Sequence, residues 1–199
     1  MNTPNRITIC RIFLAIVLIL LLIFPFYKIN FYFPTFVVSD NGVIVDSKYL
    51  IAGIIFLLAA LTDFLDGFIA RRYNMVTDLG KVLDSIADKI LVNGVLVILA
   101  VENQLSVIVP VVIILRDIIV DSIKMVVGSK IGAVAASWTG KLKTVFMLIG
   151  LTLLFFGNLP FEVWNLRVAE FLILTATVLS VVSGVQYYIN NKKYFLEEK

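Results

Sequence analysis

Apolar runs of about 20 residues recur along this chain, and a run of that length spans a bilayer as helix. They predict an all-α, polytopic membrane protein with six transmembrane helices, at roughly Ile7–Phe26, Tyr49–Ala70, Val82–Val101, Ser106–Val127, Leu142–Phe156 and Val168–Ile189. The 199 residues are 60% hydrophobic with a mean hydropathy of +1.00, and only 16% are charged, against roughly 25% in ordinary soluble domains. Arg6 and Arg11 flank the first run and no small-residue cleavage pattern precedes Pro25, so this run does not read as a cleaved signal peptide. Phe26–Lys48 reads as a polar-aromatic loop with a turn at Asp40-Asn41-Gly42. No internal repeat interrupts the pattern, and residues 1–199 read as a single membrane domain.

Basic residues give the expected orientation. Cytoplasmic loops collect lysine and arginine, and with both termini cytoplasmic only Lys28, Lys48 and Arg167 of the 17 basic residues fall outside. The net charge of +3 is mild and makes no case for nucleic acid. The sole cysteine, Cys10, excludes an internal disulfide, and there is no histidine. A metal site or a general base must therefore come from carboxylates, lysine, tyrosine or backbone.

Against this background the segment Thr62–Ile90 holds Asp63, Asp66, Asp78, Asp84 and Asp88. Asp63, Asp66, Gly67 and Ala70 fall at i, i+3, i+4 and i+7, which places them on one helical face. Gly80, Asp84 and Asp88 fall at i, i+4 and i+8 and share a face of the next helix. The two helices are expected to be antiparallel neighbours, so that four carboxylates converge across one interface. Asp78 is expected in the loop, off both faces. Unpaired carboxylates resist burial, and charges inside a membrane protein are usually functional. Carboxylate oxygens suit Mg²⁺ or Mn²⁺, and the lack of His and Cys nearby argues against zinc. Gly67, Ala70 and Gly80 leave these faces without bulk, either for a ligand against the backbone or for close helix packing. Arg71 and Arg72 carry either a binding role or a topological one.

Read as one pattern, Asp63-x-x-Asp66-Gly67-x-x-Ala70-Arg71, a gap of eight residues, then Gly80-x-x-x-Asp84-x-x-x-Asp88 resembles the signature of the CDP-alcohol phosphotransferase family at all eight of its defining positions. The resemblance implies six membrane helices, two divalent cations held by Asp63, Asp66, Asp84 and Asp88, and a CDP-linked donor received by Asp66, Gly67, Ala70, Arg71 and Gly80. It implies that Asp88 also serves as the general base, and it implies a homodimer.

Three further stretches, "NTPNRITICRIFLA" near the start, "ILRDIIVDSIK" at 114–124 and "AASWTGKLKT" at 135–144, resemble the phosphatidylglycerophosphate synthase branch. That branch transfers a phosphatidyl group from CDP-diacylglycerol to sn-glycerol 3-phosphate and releases CMP. Such an acceptor needs fixed cations, and Arg116, Lys141 and Lys143 are available, with Arg11 and Lys81 as helpers. Lys141 and Lys143 also suit a purely topological role, whereas Arg116 falls within an apolar helix. The chain departs from the branch at Ser85, where proline is usual, at Asp117, where glutamate is usual, and at Ser122-Ile123-Lys124, where Gly-Leu-Arg is usual. The expected setting is a bacterial cell membrane with the active site facing the cytoplasm. Two alternatives are a relative using another acceptor, as in cardiolipin synthesis, and a cation transporter; clustering of the carboxylates near one membrane face argues against the transporter.

Overall fold

In a computed structural model, which describes residues 3–37, 44–73, 77–131 and 138–193, the chain folds into six long helices. They are α1 (Thr3–Ile23), α2 (Ser47–Arg72), α3 (Asp78–Val101), α4 (Ile108–Ile131), α5 (Trp138–Phe155) and α6 (Val168–Asn191). Each contains the apolar run that predicts it, apart from a residue or a few at the run's ends. The loop after α1 holds more order than its sequence announces: a short 3₁₀ turn at Phe26–Ile29, then β1 (Thr35–Val37) paired antiparallel with β2 (Ile44–Asp46). Phe26 meets Phe24, Phe31 and Phe33 there in edge and tilted contacts, an aromatic cluster that favours such geometry. The expected turn at Asp40-Asn41-Gly42 lies outside the described residues.

The start of α3 differs from expectation for a local reason. Thr77 is an N-cap, its hydroxyl accepting from Gly80 N at 3.0 Å, so the helix begins at Asp78 and not near Val82. Asp78 is thus the first helical residue and not a loop residue. At the far end, Asp46 caps α2 by accepting from Lys48 N.

Packing also departs from the expected arrangement. α2 and α3 touch each other only slightly; α1 lies between them and packs extensively on both. α5 pairs with α6, and α6 with α4. One apolar core joins the helices, with Leu18 of α1, Phe56 of α2, Leu96 of α3, Ile113 of α4, Leu151 of α5 and Ile173 of α6 all buried. Small residues sit at the contacts, as close helix approach in membranes requires: Ala15, Ala52, Ala59, Ala87, Ala169 and Ala176 are buried. Large apolar side chains point outward instead, among them Phe13, Leu20, Phe64, Phe171 and Val178. In water that surface would be an aggregation liability; against lipid it is the expected exterior.

Among the described residues, four helices are long and apolar enough to cross a membrane, within α1, α2, α5 and α6. The other two, α3 and α4, are interrupted by charge: Asp84, Asp88 and Lys89 in one, Arg116, Asp117, Asp121 and Lys124 in the other. Those charges build the site.

Candidate active site

The site forms at one end of the bundle, where α1, α3 and α5 begin and α2 and α6 end. Asp63 and Asp66 come from the last turns of α2, and Asp84 from the second turn of α3. Their carboxylate oxygens lie within 4.8 Å of one another. Asp66 is buried, whereas Asp63 and Asp84 are exposed. Three such charges repel at this distance and need a counter-charge.

The protein supplies one from α1. Arg11 is 1% exposed and reaches all three carboxylates. It donates to Asp63 Oδ1, to Asp66 Oδ2 at 2.8 Å and to Asp84 Oδ1 at 2.7 Å. Thr8, one turn earlier, donates its hydroxyl to Asp66 Oδ2 at 2.8 Å. Arg11, expected as a helper to the acceptor cations, therefore stands inside the aspartate cluster. The reason is the placement of α1 between α2 and α3, which the period of the sequence does not reveal. Asn5, Thr8 and Arg11 recur every three residues at the start of α1, ahead of its long apolar run; that spacing was the available signal.

Asp88 is not part of the three-carboxylate group, so three of the four aspartates converge and the fourth stands apart. One turn beyond Asp84, it is exposed and lines an adjoining cavity of about 260 Å³ with Arg116, Asp117, Lys141, Lys143 and Tyr187. Two charge assemblies organise this cavity. Asp117 accepts from Arg116 and from Lys143, each at 2.9 Å. Asp121 pairs with Lys89 and, at 3.8 Å, with Lys124. Arg116 is anchored further on α6, donating to Ser180 O at 3.1 Å and to Ser183 Oγ at 2.7 Å. Its stem fits there because residue 184 is glycine: a Cβ would meet Arg116 Cγ at 3.1 Å. Lys141 is exposed and makes no hydrogen bond or ion pair among the described residues. Sequence reasoning missed Lys89, Asp121 and the bridging role of Asp117, because each reads alone as one more helix charge.

The remaining expected residues are placed as follows. Gly67 and Ala70 are half-buried on α2. Gly80 abuts α1: a Cβ there would lie 2.7 Å from Asn5 Oδ1 and 2.9 Å from Thr77 Oγ1. A ligand can lie on that side of Gly80 only if Asn5 gives way. Arg71 and Lys81 belong to α2 and α3, but their side chains lie outside what the structure describes. A larger cavity, of about 960 Å³, opens at the opposite end near Tyr49, Asn158 and Glu162, remote from the aspartates.

The donor set fits a hard divalent cation. It is all carboxylate oxygen, preassembled from two helices, and it already holds a cation in the form of a guanidinium.

Fold and site together define a helical membrane protein that sets an acidic cluster beside a cavity rich in basic side chains. Comparison with known proteins gives that class its family: a family model described as CDP-alcohol phosphatidyltransferase matches residues 1–182. The chain belongs to that family. Among bacterial relatives, the CDP-diacylglycerol–glycerol-3-phosphate 3-phosphatidyltransferase of Bacillus subtilis is 35% identical over 190 residues, covering 96% of this chain and 95% of its own. The protein of the same name from Rickettsia bellii is 32% identical, covering 98% and 97%. That from Mycoplasma genitalium is 30% identical, covering 93% and 72%.

Proposed function

We propose that this chain transfers a phosphatidyl group from CDP-diacylglycerol to sn-glycerol 3-phosphate, giving phosphatidylglycerophosphate and CMP, in a bacterial cell membrane. The observation that carries this reading is the division of labour along α3. Asp84 faces the carboxylate cluster, and Asp88, one turn or about 6 Å further on, faces the basic cavity. A donor diphosphate and an acceptor phosphate can thus be held side by side with a carboxylate between them. The relatives of that name, similar over nearly the whole chain, support the same reaction.

Asp63, Asp66 and Asp84 are the residues that would hold two divalent cations, Mg²⁺ or Mn²⁺, with Asp88 at the margin. Bound there, the cations supply charge neutralisation to the donor diphosphate and to the departing CMP. Gly67, Ala70 and Arg71 receive the cytidine and its phosphates, with Gly80 contributing where Asn5 yields. Arg116, Lys141 and Lys143 hold the acceptor phosphate; Lys81 has no demonstrated part. Asp88 takes the proton of the attacking hydroxyl. The acceptor oxygen bonds to the phosphorus bearing the diacylglycerol, and the bond from that phosphorus to the bridging oxygen of CMP breaks.

All six helices cross the membrane in this reading, with both termini and the site on the cytoplasmic side. α3 and α4 cross because their charges are gathered at the site end and shielded by neighbours. Lys28, Lys48 and Arg167 fall at the other end, as the distribution of basic charge requires.

An acceptor screen tests the proposal. Purified protein with CDP-diacylglycerol and Mg²⁺ should release CMP with sn-glycerol 3-phosphate, and far less with phosphatidylglycerol, inositol phosphate or serine. Preference for one of those would reject the acceptor while leaving the phosphotransferase chemistry standing. Absence of CMP with every acceptor would reject the reaction class.

A further inference from the structure

We propose that Arg11 is an internal stand-in cation: its guanidinium holds the aspartate cluster together when no divalent ion is bound and is displaced when one binds. The proposal rests on the reading of Asp63, Asp66 and Asp84 as metal ligands.

Three observations carry it. First, Arg11 donates to all three members of the one carboxylate group that could hold a metal ion among the described residues, on two different helices. A guanidinium spreads its donors over a planar fork and can bridge carboxylates on two helices in this way; an ammonium offers its three donors from a single nitrogen and spans less. Second, Arg11 is 1% exposed and its Nε has no hydrogen-bond partner among the described residues. A buried cation with an unused donor is held by the charge of its surroundings and is not locked by a complete set of hydrogen bonds. Third, it occupies one oxygen of each carboxylate in that group. An ion about 2.1 Å from an oxygen that also holds a guanidinium nitrogen at 2.7 Å brings two positive charges within a few ångströms, so the two compete.

The consequence is a trade. Three carboxylates less one guanidinium leave two negative charges on the metal-free cluster, enough to attract a divalent ion and few enough to keep α2 and α3 seated on α1. Arg11 thereby lowers the affinity for metal and protects the metal-free fold. It is a positioning residue, acting through the aspartates.

The test uses full-length protein purified in detergent, with Mn²⁺ as the probe, read by electron paramagnetic resonance and by thermal unfolding. Wild type should bind Mn²⁺. Arg11→Gln should bind it at least about tenfold more tightly, because the competing cation is gone. In chelator Arg11→Gln should unfold several degrees below wild type, and saturating Mn²⁺ should close that gap. Arg11→Lys, which keeps the charge but contacts fewer carboxylates, should fall between the two in Mn²⁺ affinity, and it carries the comparison if Arg11→Gln does not fold. Unchanged or weaker Mn²⁺ binding in the variants, or a stability deficit that persists at saturating Mn²⁺, would overturn the proposal and leave Arg11 a fixed structural cation. A wild type that binds no Mn²⁺ would overturn the metal reading and this proposal with it.

Discussion

Asp84 and Asp88 sit one turn apart on α3 in different company, and that contrast yields distinct expectations. Asp66→Asn or Asp84→Asn should remove most turnover and weaken Mn²⁺ binding, since both belong to the three-carboxylate group. Asp88→Asn should lower kcat by roughly 10²–10⁴-fold, the usual worth of a general base, while leaving Mn²⁺ affinity nearer wild type than Asp66→Asn does. Paired kinetics and Mn²⁺ titrations check both. The cations proposed for the acceptor divide in the same way. Lys141 has no partner among the described residues, so Lys141→Ala should raise KM for glycerol 3-phosphate by about tenfold to a hundredfold with little change for CDP-diacylglycerol. Arg116→Ala should do the same and also lower the unfolding temperature, because Arg116 ties α4 to Ser180 and Ser183 of α6.

Among elements, α1 is the piece the sequence concealed. The apolar run Val168–Ile189 anticipates α6 almost to its ends, and the spacing of Asp63, Asp66 and Asp84 anticipates the helix faces that meet in the carboxylate group. Helical period assigns faces; it does not say which helix fills the space between two others. Hence Arg11 read as an outlying basic residue, and Gly80 as cleared either for a ligand or for helix packing; its neighbours are Asn5 and Thr77. Gly80→Leu should therefore lower thermal stability by driving α1 from α3, in addition to any loss of donor affinity. The far end is tied by other means. Lys48 donates to Leu22 O at 2.8 Å, completing a carbonyl left open near the end of α1, and Glu102 accepts from Tyr49 at 2.6 Å and from Lys48 at 3.4 Å. Glu102→Ala strands the Tyr49 hydroxyl and leaves Lys48 only Leu22 O, and should cost about 1–3 kcal/mol in thermal unfolding, with activity per folded molecule retained because the site lies at the other end.

For the whole molecule, the distribution of polarity is the argument. Phe13, Phe64, Phe171 and Val178 face outward while Arg11 and Asp66 are buried, the reverse of a water-soluble protein. The charges that break the apolar runs of α3 and α4 are gathered at one end, where an acidic cluster meets a basic cavity. That juxtaposition predicts transfer between two phosphorylated substrates, and it is tested most directly by following label from acceptor to lipid. With CDP-diacylglycerol and radiolabelled sn-glycerol 3-phosphate, purified protein should form one equivalent of labelled, solvent-extractable lipid for each CMP released, only when Mg²⁺ or Mn²⁺ is present. CMP released at the same rate without acceptor, or label entering lipid undiminished in chelator or in the Asp66→Asn protein, would contradict the account.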